Sequence, residues 1–478
     1  MNLPSARNRR FVSVAAILTI CFTVLTAIWT TNSANAQGEL KSRSLERQAR
    51  QFLSLVLQDI RLSDDILINN YLLNLADDLA KKSNMKIEDL SYYVVVDPQI
   101  NAFAGPGATF FINTGIITEA NTEGELASVV AHELAHFKQD HLKRLVESYD
   151  SSKTPFFLAV MAGIAMGGDA GIATVFGAQA ARVESMIDHR LAYEREADAV
   201  GLNILVSAGY HPKEAVGFML RLEEHIREQG IRQSNIHNTH PITPERIASF
   251  KLRVAQATNV RVKQVAPDFQ FAKIRAKVLF DWQPDRTTKA LKSQLDKSDG
   301  TIKTATLYGL SMSLARDGNL ESARQIINDL LQSDPENIWF LAAAAELEIN
   351  SNNPKAAETL LSSIANSSDP DASVVENYTV SLTRMGRFED ASGYIRKWLN
   401  VHDGPVELKR VYALAANKAG DTVSSYIAES DYYFKFGELK KSMNLLLAAE
   451  QKATDFYSIE LIREKKRSVA EELAWRKQ

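Results

Sequence analysis

His132-Glu133-Leu134-Ala135-His136 places two imidazoles four residues apart, with a carboxylate beside the first. On a helix, residues i and i+4 share a face and lie about 5–6 Å apart. Two imidazoles so placed can reach one zinc ion, and Glu133 can take a proton from the water that zinc acidifies. The residues ahead of the motif, Leu126-Ala127-Ser128-Val129-Val130-Ala131, are small and mostly apolar. They predict a buried helix, where polar side chains need partners and a metal supplies them. The competing reading, a solvated helix face that happens to carry two histidines, fits that context poorly.

A catalytic zinc site takes a third protein ligand. No His-x-x-Gly-x-x-His extension follows the motif, so that ligand is expected from a distant helix. Glu194 and Asp198 lie four apart in Glu194-Arg195-Glu196-Ala197-Asp198, within a predicted helix from about Ala181 to Ala208 that ends at Gly209. One carboxylate can ligate zinc while the other accepts the free N–H of a ligand imidazole, and spacing does not decide between them. Farther on, His237 and His240 sit in a polar loop within residues 235–250, where a loop histidine is the plainer reading, and Arg246 could bind a carboxylate or a substrate carbonyl. His141, His189, His211, His225 and His402 read as structural or exposed.

These groups need a scaffold. Residues 40–82 show apolar residues at helical spacing, and Ser91–Val96 is a β-branched and aromatic run stopped by Asp97-Pro98, a strand signal. Ala108–Asn113 reads as a second strand after Gly105-Pro106-Gly107, able to receive an extended substrate by strand addition. Asn121/Thr122 with Glu125 forms a capping box that opens a helix from about Glu123 to Tyr149. The run Phe156–Met166 is too short to span a membrane and reads as a buried helix ahead of a membrane-touching segment. Residues 265–301, polar from 283 onward, read as a linker.

A repeat follows. Gly318-Asn319-Leu320-Glu321-Ser322-Ala323 and Gly386-Arg387-Phe388-Glu389-Asp390-Ala391 lie 68 residues apart, twice 34, with Ala357 midway and Gly420 34 beyond Gly386. A 34-residue helix–turn–helix period with glycine at the turn and alanine on the second helix resembles tetratricopeptide repeats, although Asn352 and Ser425 replace one of each. Stacked repeats form a solenoid that offers a concave docking face.

The N-terminus reads as an export signal. Arg7, Arg9 and Arg10 precede an apolar stretch from Phe11 to Trp29, and Ala34-Asn35-Ala36 suits signal peptidase; an uncleaved anchor is the alternative. The net charge is −3, and cleavage after Ala36 removes three arginines and no acid, leaving −6. Neither value suggests a nucleic-acid partner. The single cysteine, Cys21, lies in the apolar stretch. A mature chain without cysteine has no disulfide and must hold metal through histidine and carboxylate.

Asn101-Ala102-Phe103-Ala104, Phe111-Ile112-Asn113-Thr114-Gly115, the helix with Glu125-Leu126-Ala127 and the later Glu-x-x-Ala-Asp together resemble the gluzincin family that includes HtpX and the CAAX prenyl proteases. The resemblance covers residues 60–250 closely. It implies His132, His136 and Glu194 as ligands of one zinc per chain, with Glu194 rather than Glu196 in that role. It implies Glu133 as general base and Asp198 as the catalytic-site acid behind an imidazole. It also implies that His240 can approach the zinc, which makes it a candidate regulatory residue.

With the signal and the repeats, the whole chain is similar to periplasmic members of that family that act on outer-membrane β-barrel proteins. The expected fold is mainly α with a small β-sheet: signal peptide 1–36, zincin-type metallopeptidase domain 37–264, linker 265–301 and α-helical tetratricopeptide-repeat solenoid 302–478. The expected function is a periplasmic zinc endopeptidase in outer-membrane protein quality control. Its expected partners are unfolded or misassembled outer-membrane proteins and, through the repeats, the β-barrel assembly machinery, with possible peripheral membrane contact. A periplasmic chaperone or scaffold with a latent zinc site is the alternative, and a zinc hydrolase of non-peptide substrates is weaker.

The mature chain is expected to bind about one zinc per molecule. Elemental analysis checks this, and full zinc occupancy in a His132→Ala/His136→Ala double variant would refute the site.

Overall fold

The computed structural model describes residues 46–57, 60–85, 91–107, 109–141, 144, 180–229, 240, 242–256, 262–264, 266–280, 283–402 and 404–477. The expected signal peptide with Cys21, the run Phe156–Met166, His237 and the side chains of His189 and His225 lie outside them. No helix among the described residues is long and apolar enough to cross a membrane.

The first elements among the described residues are helix α1 (residues 46–56) and helix α2 (Ile66–Lys82). A single helical stretch over residues 40–82 is therefore corrected. Leu62 is extended and bridges Val95, and Asp65 caps α2 by accepting from the Ile68 N–H at 2.9 Å. Three strands follow, β1 (Ser91–Val95), β2 (Ala102–Gly105) and β3 (Thr109–Asn113). Their order is β1-β3-β2, with β1 parallel and β2 antiparallel to β3. The central strand β3 is fully buried, so it has no free edge for a substrate, contrary to the expectation for residues 108–113. The free edge belongs to β2, a strand too short and too rich in small residues to be read from sequence.

Helix α3 (Thr114–Glu119) leads into α4 (Glu123–Lys138), capped by Thr122, whose hydroxyl accepts from the Glu125 N–H. The Glu125 carboxylate accepts from the Asn121 N–H, one residue ahead of the cap, so the expected capping box forms in a shifted version. α4 stops at Lys138 rather than near Tyr149, and Asp140 takes a left-handed φ of 51°. Helix α5 (Ala180–Ser207) packs along α4. At Gly201 an added Cβ would lie 3.0 Å from the His132 Cα, so only glycine lets these two backbones come so close. Helices α6 (Lys213–Gln229) and α7 (Pro244–Gln256) complete this part.

Residues 265–301 are not a linker. Helix α8 (Asp268–Phe280) buries Phe269 in the core formed with α2, the sheet, α4 and α5. The same helix buries Phe271, Ile274 and Val278 in the next core, with Leu291, Tyr308 and Phe340. A helix apolar on nearly every side belongs between two cores. Helix α9 (Pro284–Leu295) carries the polar composition that suggested a linker, and that composition is its solvated face.

Ten helices then pair in order: α10 (Gly300–Arg316) with α11 (Leu320–Ser333), α12 (Ile338–Asn350) with α13 (Pro354–Ala365), and α14 (Ala372–Arg384) with α15 (Phe388–Leu399). The last pairs are α16 (Glu407–Lys418) with α17 (Thr422–Lys435), and α18 (Leu439–Glu450) with α19 (Phe456–Trp475). The 34-residue period is real in space. Gly318, Gly386 and Gly420 have φ of 82°, 76° and 84°, and Asn352 stands in with 59°. Asparagine is the side chain that best tolerates that region. Ala323, Ala357 and Ala391 are fully buried between helices.

The inner face of the solenoid is not wholly open. Ile66, at the start of α2, packs on Val375, Ile395, Trp398 and Leu408. At the far end, Glu472 of α19 accepts from Arg50 of α1 at 2.7 Å, and Phe436 joins a cluster with Phe52 and Phe111. Near the middle, Arg275 of α8 donates to Asp65 at 2.8 Å, to Glu346 of α12 at 2.6 Å and to the Tyr308 hydroxyl at 3.2 Å. Arg275 is buried, so its charge persists only because both acids answer it. Arg275→Ala leaves two acids short of their counter-charge and is expected to lower stability by about 3–5 kcal/mol. Denaturant unfolding measures this, and a loss below about 1 kcal/mol would show that the ion triad does not hold the two cores together.

Candidate metal centre

Helix α4 projects His132, Glu133 and His136 toward Glu194 on α5 and His240 just ahead of α7. The His132 and His136 Nε2 atoms are 3.0 Å apart. The Glu194 oxygens lie 3.3 Å from each of them. His240 brings its Nδ1 to 3.4 Å from the His132 Nε2 and 3.1 Å from Glu194 Oε1. All four donor atoms lie within 4.8 Å of one another. Four ligand atoms about 2.0–2.1 Å from a shared zinc in a tetrahedron would be about 3.3 Å apart. Three imidazoles and a carboxylate converging at that spacing fit one zinc ion.

The back of each ring is also held. The His132 Nδ1 faces Asp198 Oδ1 at 3.2 Å, on the side of the ring away from the cluster. The His136 Nδ1 faces the His141 Nδ1 at 2.9 Å. Glu194 and Asp198, indistinguishable by spacing, thus occupy different places: Glu194 in the cluster, Asp198 behind it. Arg246 ties them together. Its Nε and Nη2 donate to Asp198 at 2.8 and 2.7 Å, and its Nη1 lies 2.9 Å from Glu194 Oε2.

Glu133 is buried beside the cluster, with Oε1 3.4 Å from the His240 Nε2. Its Oε2 is buried with no hydrogen-bond partner among the described residues. A carboxylate oxygen left free beside a metal-sized cluster is where a reacting water would be held. The His240 Nε2 also lies 3.2 Å from the carbonyl oxygen of Ala102, on edge strand β2. Because the Asn101 carbonyl accepts from the Asn113 N–H, alternation along β2 turns the peptide groups of Ala102 and Ala104 outward.

Residues 67–254 match the profile of peptidase family M48, and residues 314–377 match a tetratricopeptide repeat profile. Residues 67–254 thus form an M48-like domain, similar to that family over this stretch. Over 294 residues it is 27% identical to the beta-barrel assembly-enhancing protease of Escherichia coli, covering 61% of this chain and 60% of that protein. It is 24% identical over 397 residues to the putative beta-barrel assembly-enhancing protease of Vibrio cholerae, covering 81% of each. The mitochondrial metalloendopeptidase OMA1 of Saccharomyces cerevisiae is 28% identical over 179 residues, covering 35% of this chain and 48% of that protein. The chain thus spans about 60% of the length of the first curated relatives it matches.

The electrostatics of the M48 domain favour positive charge at the cluster. Burial opposes charging of His132, yet hydrogen bonds with Asp198 and Glu194 push its imidazole up to about 10. Burial holds His136 below the usual histidine range. Burial would raise the Glu194 carboxyl, but the surrounding imidazoles, His240 first, hold it well below the usual carboxylate range. Asp198 is likewise held low against its burial, by hydrogen bonds with Arg246 and His132.

Two site residues escaped the sequence reading. Arg246 carried only a weak expectation, and its role as the clamp on two acids depends on how α7 meets α5. His141 reads from sequence as structural or exposed. On a continuous helix it would point about 140° away from His136. The break at Asp140 turns it back. Burial and the nearby His136 push its imidazole down to about 4. His211 and His402 lie elsewhere: His211 accepts from the Lys213 N–H, and His402 stacks on Trp398.

Depressed carboxylates stabilise the fold above their ordinary pKa, about 4, and lose that contribution as pH falls through their depressed values. Arg246→Met raises both native values, so the contribution is smaller and its loss is complete at a higher pH. The acid-unfolding midpoint of the zinc-free protein is expected to rise, as read by circular dichroism. An unchanged midpoint would mean that Arg246 does not hold Glu194 and Asp198.

Proposed function

We propose that this chain is a zinc-dependent endopeptidase of the bacterial periplasm, acting in quality control and assembly of outer-membrane β-barrel proteins. The observation that carries the reading is the convergence of His132, His136, Glu194 and His240 beside a buried carboxylate with a free oxygen. His132, His136 and Glu194 would hold the metal. Zinc, when bound, would polarise the scissile carbonyl and acidify the attacking water. Glu133 takes the proton from that water as its oxygen bonds to the carbonyl carbon. It then delivers the proton to the amine nitrogen as the C–N bond breaks. Asp198, clamped by Arg246, orients His132 from behind.

Substrate enters as a strand. The outward peptide groups of Ala102 and Ala104 can pair with an extended backbone, which suits unfolded chains and unpaired β-strands. The names of the relatives agree with outer-membrane β-barrel proteins as that source. The export signal read at the N-terminus agrees with a periplasmic location. The repeats would dock the assembly machinery through surfaces left free by their packing on the M48 domain.

A second reading, a chaperone or scaffold with a latent site, is favoured by the position of His240. One face of its ring fills the fourth donor place, and the other contacts the Ala102 carbonyl on the substrate edge. The same ring therefore stands where water and substrate backbone would both go. We read this as a closed resting state of the protease, opened when substrate or partner moves the segment.

Glu133→Gln is expected to keep zinc and fold but lose casein cleavage by about 10²-fold or more. Full cleavage by that variant would mean the base is misassigned. His240→Ala is expected to keep zinc and raise basal cleavage. Lost cleavage with zinc retained would instead assign His240 to catalysis.

A further inference from the structure

We infer that His141 is a positioning residue for His136: a hydrogen-bond chain from His136 through His141 to Glu196 fixes the tautomer that leaves the His136 Nε2 free for a metal. The proton positions follow by elimination. The His141 Nε2 lies 3.2 Å from Glu196 Oε2. That carboxylate is paired with Arg144 at 2.9 Å, so it is ionised and can only accept. The His141 Nε2 therefore carries a hydrogen. In a neutral imidazole its Nδ1 is then a lone pair. The His136 Nδ1 sits 2.9 Å from that lone pair and must be the donor. Its hydrogen is thereby committed to the back of the ring, and Nε2 presents a lone pair to Glu194, His132 and the metal position.

The chain is built into the fold. His141 is buried and stacks on Tyr193 with ring centroids 4.7 Å apart, and the Arg144 guanidinium lies over the Tyr193 ring, 4.6 Å from its centroid. Glu196 is the middle acid of Glu194-Arg195-Glu196-Ala197-Asp198. All three acids of that segment now have distinct places: Glu194 toward the metal, Asp198 behind His132, and Glu196 behind His136 at one remove. The two rings of the motif are anchored alike, one by a carboxylate directly and one through a second imidazole. Partners of this kind set ring orientation and raise ligand basicity in metal sites.

The inference rests on His136 being a metal ligand. His136→Ala tests that reading separately, since it should abolish tight zinc binding whatever His141 does. The full-length mature protein is titrated with zinc against a chelator. His141→Phe keeps a ring to stack on Tyr193 but has no acceptor, and zinc affinity is expected to fall roughly 10–100-fold. His141→Asn can place its Oδ1 where Nδ1 was and is expected to recover most of that loss. Nitrogen-15 shifts of the His136 ring in the zinc-free protein should show the Nδ1–H tautomer in the wild type and His141→Asn, and a mixture in His141→Phe. Should His141→Phe fail to fold, Glu196→Leu removes the acceptor for the His141 Nε2–H at a partly exposed side chain, with a mixed His136 tautomer and weaker zinc binding expected. Wild-type affinity and tautomer in His141→Phe or Glu196→Leu would overturn the proposal, as would an Asn variant no better than Phe, which would reduce His141 to packing.

Discussion

Everything at the M48 site depends on bringing several lone pairs to one point inside a buried wall. Imidazole nitrogens and carboxylate oxygens about 3 Å apart repel one another unless a cation or shared protons lie between them. The fold accepts that cost because the helices cannot relax away from it. Gly201 lets α5 lie against the His132 backbone, and Arg246 bridges the two acids that face His132 and His136. The result is a pocket with negative carboxylates, rings whose back nitrogens are held, and a strong preference for positive charge at its centre.

His240 is bound to this constraint from the opposite side. It comes from the segment before α7, whose Arg246 is only six residues away and anchored in the same acids. A shift of that segment that withdraws the imidazole therefore also strains the clamp, unless the chain between His240 and Arg246 bends. The contacts of His240 with Glu194 and with the β2 edge are thus tied through this short segment to the Arg246 clamp. The solenoid adds a longer lever. α8 shares its residues between the M48 core and the first repeats, and Arg275 binds Asp65 at the cap of α2. These contacts join the repeats to α2, which packs against α4.

The legible parts of this chain were those whose chemistry is local. His132 and His136 are one helical turn apart, and the repeat glycines and alanines recur wherever a left-handed turn or a close helix contact is needed. Glu194 and Asp198 were legible as a pair but not as individuals, because both lie on one helix face and only the position of α4 distinguishes them. The resemblance implies Glu194 as the ligand, and the structure places Glu194 among the clustered donors with Asp198 behind His132. His141 was illegible because its direction depends on a helix ending three residues earlier, at Lys138, with Asp140 in a left-handed conformation. Strand β2 was illegible because its four residues, three of them small, are too few to show an alternation. Residues 265–301 misled because the polar surface of α9 outweighed the apolar α8 in composition. The export signal lies outside the described residues, and its reading stands on sequence alone.

The account is tested most directly at the metal itself. X-ray absorption at the zinc edge of the loaded, resting protein counts imidazoles in the coordination shell. The account predicts three imidazoles and one carboxylate at about 2.0–2.1 Å, falling to two imidazoles in His240→Ala. Two imidazoles in the wild type, or no change on removing His240, would contradict it.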